Sequence, residues 1–163
     1  MTPPASQLRD PRDNRLGTSV REAADAAETA LTRMLSFNGS PLPDLDLAIA
    51  ADPAWALPLV MKAGALLGLS EPHLAHEARA LLNAAEPLAA QALPRERTHL
   101  EAMRAVADGR CHHACRLWDE CLLEHPRDAL ALNWAHDWDL HRGDMQSLRL
   151  RPARVLPEWS EAD

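Results

Sequence analysis

The stretch from Arg95 to Asp128, RERTHLEAMRAVADGRCHHACRLWDECLLEHPRD, decides the fold class. Its length matches the period of about 34 residues that is typical of a repeat built from two antiparallel helices. Ala102 and Ala105 have small side chains that let a first helix approach its partner, and Gly109 is suited to end that helix. The stretch therefore predicts one helix, a tight turn and a second helix.

The second helix of this unit has one continuous apolar face. Apolar residues occur there at i, i+3, i+4, i+7 and i+8: Ala114, Leu117, Trp118, Cys121 and Leu122. Pro126 ends the helix. Period and landmarks together are typical of a tetratricopeptide repeat, with the unit spanning 95–128.

Partial units flank this repeat on both sides. A further first helix starts near Asp128 and reaches Gly143, and Asp52-Pro53 upstream resembles the terminating His125-Pro126. We therefore predict an all-α, tetratricopeptide-like array of antiparallel helical hairpins, a short α-solenoid of seven or eight helices. The alternative is an irregular helical bundle.

The domain boundary is predicted near residue 18. Three prolines and Gly17 interrupt a polar stretch, so residues 1–17 are expected to form a flexible N-terminal lead. Residues 18–163 then form the helical-repeat domain. Within it, Gly64 and Gly68 are expected to allow close helix packing.

Composition excludes several classes of function. The net charge is -7, and the 17 basic residues are dispersed among 24 acidic ones, which argues against nucleic-acid binding. No apolar stretch reaches transmembrane length, so no membrane partner is expected. Three cysteines without framework spacing favour a reduced, cytoplasmic compartment.

Residues spread from Asp52 to the C-terminal end also carry a family resemblance. They are Asp52-Pro53, Arg95-Glu96, His99, Gly109, Ala114, Trp118, His125-Pro126, Asp128, Leu130-Ala131-Leu132, His136-Asp137, Gly143, Arg154, Leu156, Pro157 and Trp159. On these residues the chain resembles the tetratricopeptide repeat protein 38 family. The resemblance implies an α-helical repeat fold and no established reaction. Members of that family continue into more repeats, so we expect this chain to correspond to their N-terminal part.

Two short motifs suggest chemistry. Glu96 and His99 form a Glu-x-x-His step, which is half of a carboxylate-bridged metal site, but the sequence has no second copy. Arg95, Glu96 and His99 are therefore interpreted as a hydrogen-bonded lock of the inter-repeat turn. His136-Asp137 resembles the dipeptide of metal phosphohydrolases, but adjacent helical residues point about 100° apart.

Potential metal ligands are also frequent along the second repeat helix. They are Cys111, His112, His113, Cys115, Cys121 and His125, and two of their pairs have i, i+4 spacing. Cys121 occupies a core position of the repeat, so packing is the preferred interpretation. We predict no metal, no cofactor and no catalytic residues.

A protein-interaction module is the function that the sequence favours. Stacked hairpins form a concave surface, and the candidate partner-binding residues on it are Arg104, Asn133, Trp134 and Asp137. The protein or peptide partner is unknown. Two alternatives stay open: part of an uncharacterised enzyme or accessory protein using Glu96, His99, His136 and Asp137, or a truncated remnant without independent activity.

The C-terminal end is predicted to lack an adequate capping helix. Pro152 and Pro157 interrupt the last segment, which would leave the apolar face of the preceding helix uncovered. Weak homo-oligomerisation through this end is then expected.

Overall fold

The computed structural model describes residues 8–160. Eight α-helices occupy this part of the chain: α1 (Arg21–Ser36), α2 (Leu42–Ala51), α3 (Ala56–Gly68), α4 (Pro72–Ala85), α5 (Pro94–Ala107), α6 (Cys111–Glu124), α7 (Ala129–His141) and α8 (Met145–Val155). Short 3-10 turns follow α4 and α8, and no strand occurs between residues 8 and 160. The predicted all-α class is confirmed.

Consecutive helices pair as hairpins. The most extensive contacts join α1 to α2, α3 to α4 and α5 to α6, and α3 also packs against α5. None of the helices in the described range has both the length and the apolar character that crossing a bilayer requires.

The last two hairpins use the same turn. Gly109 and Gly143 lie one predicted repeat period apart and have φ angles of +76° and +74°, the left-handed conformation that glycine adopts without strain. The amide that follows each glycine donates to the carbonyl four positions before that glycine, at 2.7 Å in the first turn and 2.9 Å in the second. One turn geometry thus recurs at the spacing that the sequence predicts.

Trp118 and Trp134 fill the centre of the core. Both are buried, and their ring centroids lie 5.7 Å apart. Gly64 of α3 faces the Trp134 ring, and a Cβ at this glycine would come within 2.8 Å of it. Close packing is therefore present at Gly64, whereas a Cβ at Gly68 would meet no atom within 4 Å.

Residues 8–17 are part of the packed domain. They form a tight turn in which the Leu16 amide donates to the Leu8 carbonyl at 2.9 Å. Buried Arg12 pairs with Glu28 of α1, and the Asn14 side-chain amide donates to the Arg127 carbonyl at 3.2 Å. This corrects the predicted boundary at residue 18, because ion pairs and turn hydrogen bonds hold a segment that lacks helical periodicity. The remainder of the predicted lead, residues 1–7, lies outside the described residues.

The C-terminal end has the helix that the sequence analysis did not expect. Helix α8 continues through Pro152 and packs against α7. Val155 is buried, and the Trp159 indole donates to the Pro126 carbonyl at 2.9 Å. Ion pairs of Arg151 with Asp119 and Asp139 tie the helix to α6 and α7. The expectation of a missing cap is corrected, and self-association stays an untested prediction.

Candidate functional site

A buried polar cluster lies where α7 begins. Asp128 is 1% exposed, and its Oδ2 accepts hydrogen bonds from Arg95 Nη1 and His99 Nε2, each at 2.9 Å. Its Oδ1 accepts the Ala131 amide at 3.0 Å, which caps α7. Asp128 therefore joins α5 to the first turn of α7, and we call Arg95, Glu96, His99 and Asp128 the polar lock.

Glu96 extends the polar lock to the N-terminal segment. Its Oε1 accepts the Gly17 amide at 2.8 Å and the Trp55 indole N–H at 2.9 Å. Arg95 Nη2 donates to the Arg15 carbonyl at 3.1 Å. A Cβ at Gly17 would meet Glu96 Oε2 at 2.2 Å, so a larger residue there would displace the Glu96 carboxylate. The partners of Arg95 and Glu96 in these hydrogen bonds are thus backbone and core groups of the same chain.

The electrostatics of the polar lock favour an ionised Asp128. Burial alone would raise the pKa of this carboxyl, but His99 and Arg95 together lower it well below its ordinary value of 3.8. The cost of burying the carboxylate is thus offset by a guanidinium and an imidazole within hydrogen-bond distance.

Two residues of the polar lock and the neighbouring Cys121 bring together three atoms of the kinds that bind metals. A nitrogen of His99, the Cys121 sulfur and a carboxylate oxygen of Asp128 all lie within 4.8 Å of one another. The Arg95 guanidinium already binds the same carboxylate, so a metal ion there would face an adjacent positive charge. The arrangement is better suited to an internal ion pair than to metal coordination.

The cysteine thiols at the hairpin interfaces are poor nucleophiles. Burial, followed by the nearby Asp139 carboxylate, raises the pKa of Cys115 to about 12. Burial also raises the pKa of Cys121, with Asp128 as the next contribution. Both side chains therefore remain thiols at neutral pH.

The four residues of the enzyme alternative do not come together. Glu96 and His99 are buried in the polar lock. His136 is exposed on α7, about two helical turns after Asp128. Asp137 lines a separate groove that contains neither Glu96 nor His99. The small cavity lined by Glu96 contains neither His136 nor Asp137.

That groove has a volume of about 600 Å³ and is larger than the cavities lined by Arg95 and by Glu96, at about 310 and 120 Å³. It opens where the C-terminal end of α1 and the following turn meet the later turns of α3 and α7, and we call it the α1/α7 groove. Its lining is mainly apolar and aromatic, and includes Met34, Phe37, Leu42, Leu69, Trp134, Trp138, Leu140 and His141. Its volume falls within the usual range of ligand pockets.

Asp137 places a carboxylate in this apolar lining. The side chain is half-buried, and the Asn133 amide donates to its Oδ2 at 3.1 Å. Burial raises the pKa of Asp137 above its ordinary value, while His136, His141 and Asn133 act in the opposite direction. The carboxylate is therefore only partly compensated.

Phe37 lines this groove with an exposed side chain and a left-handed backbone conformation. It is the only phenylalanine of the chain, and it is 86% exposed. Its φ of +52° is the left-handed conformation, which is unfavourable for a bulky side chain. A large apolar group that is both strained and exposed beside an apolar groove is a feature of binding surfaces.

Three of the four candidate partner-binding residues line the α1/α7 groove. Asn133 and Asp137 line its α7 side, and buried Trp134 belongs to its floor. Arg104 lies elsewhere, because its guanidinium binds the Glu86 carboxylate at 2.7 Å and the Leu82 carbonyl at 3.1 Å. The structure thus separates Arg104 from the other three.

Sequence reasoning missed two parts of these sites. Asp128 was recognised as a helix start, and its N-cap position is readable from sequence, but its ion pairs with α5 are not. Phe37 was missed because it lies in the turn after α1, where no helical spacing indicates whether a side chain is buried or exposed.

Comparison with known proteins leaves both sites to be interpreted from their own geometry, since no family model and no solved structure matches the chain.

Proposed function

We propose that the protein is a tetratricopeptide-like interaction module that binds a short segment of a partner protein in the α1/α7 groove. The observation that carries the proposal is the groove itself, with exposed Phe37 beside a lining of apolar and aromatic side chains. Binding a partner would remove this apolar surface from water.

The repeat architecture is supported by the recurrence of one turn geometry after one repeat period and by the consecutive pairing of helices. The resemblance to the tetratricopeptide repeat protein 38 family is part of the same proposal, and it rests on the residues given above. A cytoplasmic location is consistent with three cysteines that are unpaired.

A peptide selection tests the proposal. Random peptides displayed on phage are selected against the full chain, and the selected peptides are synthesised and measured by fluorescence anisotropy. Phe37→Ala should weaken binding at least tenfold, since it removes an aromatic anchor. Leu123→Ala is the matched control, because Leu123 is 83% exposed on α6 and lies outside the groove.

Equal binding by Phe37→Ala and the parent chain would contradict the proposal. Thermal melts of both variants identify any loss of binding that is caused by unfolding. Both side chains are exposed, so neither substitution should lower the melting temperature noticeably.

A further inference from the structure

Charge in the α1/α7 groove is unevenly compensated. The Arg33 guanidinium on its α1 side binds Asp44 at 2.6 Å, so this cation already has a partner. Asp137 receives a hydrogen bond from the neutral Asn133 amide, and no arginine or lysine among residues 8–160 forms an ion pair with it. The groove therefore presents, in an apolar wall, a carboxylate whose partners are an amide and two nearby histidines and that forms no ion pair with arginine or lysine.

Two aromatic rings of α7 line the same groove as this carboxylate. Trp138 follows Asp137 directly, and the Trp138 and His141 ring centroids are 4.9 Å apart. Both rings line the groove. A guanidinium can bind a carboxylate with its N–H groups and stack its plane on an indole, whereas an ammonium group offers no such plane.

We infer that the segment bound in the α1/α7 groove carries an arginine flanked by apolar residues, with the guanidinium paired to Asp137 and stacked on Trp138. This inference rests on the proposed function and specifies its partner. The flanking apolar side chains would contact Phe37 and Leu69, which are both exposed at the groove. Complementary charge would give selectivity, and the apolar contacts would give most of the affinity.

The experiment uses the strongest peptide from the phage selection. Its arginine is replaced by citrulline, a neutral group of nearly the same shape, and in a second peptide by lysine. Each peptide is titrated into the parent chain and into Asp137→Asn. The control chain is Glu120→Gln, which removes one negative charge from an exposed position on α6.

We expect citrulline to weaken binding to the parent chain about tenfold, and Asp137→Asn to weaken the arginine peptide by a similar factor. Combining both changes should cost little more than either one alone, because they remove the same interaction. Lysine should restore binding only in part, and Glu120→Gln should leave all affinities unchanged.

Each contrary result overturns a specific part of the account. Peptides that need Phe37 but lack arginine, or that bind Asp137→Asn as well as the parent, would overturn the arginine inference and leave the groove function standing. Peptides that bind Phe37→Ala as tightly as the parent chain, or a selection that yields no binding peptide, would overturn the proposed function. A peptide that binds Glu120→Gln as weakly as Asp137→Asn would overturn the pairing with Asp137, because net charge alone would then account for binding.

Discussion

The two ends of α7 handle an aspartate in opposite ways. Asp128, just before the helix, is buried and has an arginine, a histidine and a backbone amide of its own chain as partners. Asp137, near the other end, is half-buried and has one neutral amide. The first carboxylate is satisfied by the fold, whereas the second is left for a partner to satisfy. Stability and binding are therefore expected to separate along one helix.

The largest expected effect is the loss of the polar lock. Asp128→Asn removes the negative charge and leaves buried Arg95 beside a neutral group, so the free energy of unfolding should fall by about 3–5 kcal/mol. Urea denaturation followed by circular dichroism measures it. A loss below about 1 kcal/mol would contradict the role given to this cluster.

The two aspartates should also differ in how they make the stability of the protein depend on pH. The pKa of Asp128 is lowered in the folded state, so its stabilisation is present above the ordinary value of 3.8 and is lost as pH falls below it. The pKa of Asp137 is raised, so protonation of this group on acidification favours the folded state. Melting temperatures measured from pH 7 to pH 2 should fall most steeply below about pH 4.

In the variant Asp128→Asn, the melting temperature should fall less steeply below about pH 4 than in the parent chain. In Asp137→Asn, the fall should be as steep as in the parent chain. Equal acid sensitivity of the parent chain and Asp128→Asn would show that other carboxylates control acid unfolding.

A smaller effect is expected from the matched substitution at the other end of α7. Asp137→Asn should change the free energy of unfolding by no more than about 0.5 kcal/mol, since no internal ion pair is broken. The same denaturation experiment measures it. A loss of stability as large as that of Asp128→Asn would mean that both aspartates stabilise the fold, which contradicts the distinction drawn here.

The smallest effect is expected at Phe37. Replacing it by glycine relieves the left-handed strain but adds freedom to the unfolded chain, so the two contributions oppose each other and the free energy of unfolding should hardly change. Peptide binding should nevertheless be weakened strongly. A large loss of stability in urea denaturation would show that the phenyl ring belongs to the core.

The helices could be predicted from sequence because apolar spacing, prolines and glycines mark them locally. Pro72 and Pro94 are the first residues of α4 and α5, and Gly109 follows the end of α5 as its position in the repeat predicts. Residues 8–17 could not be placed, because ion pairs such as Arg12 with Glu28 hold them and leave no periodic pattern. Pro152 predicts an interruption of the last segment, yet α8 continues through it. The helix is held by ion pairs of Arg151 with α6 and α7, which the sequence pattern does not reveal.

The candidate site was predictable only in part, for a related reason. Asn133, Trp134 and Asp137 line the same groove because they share one face of one helix, and spacing along the sequence predicts that much. That Phe37, just after α1, lies across from them depends on a contact between distant parts of the chain, which no local period encodes. Arg104 was grouped with them from its place on a first helix, but its hydrogen bonds point it toward α4.

The five tryptophans provide the most direct test of the central claim, that partners bind in the α1/α7 groove. Each indole N–H gives its own signal in a ¹⁵N-correlated NMR spectrum, and a selected peptide is titrated into the labelled full chain. We predict that the Trp138 and Trp134 signals shift, while those of Trp55, bound to Glu96, and Trp159, bound to the Pro126 carbonyl, stay in place. Shifts of Trp55 or Trp159 with an unchanged Trp138 would contradict the claim and place the binding surface outside the groove.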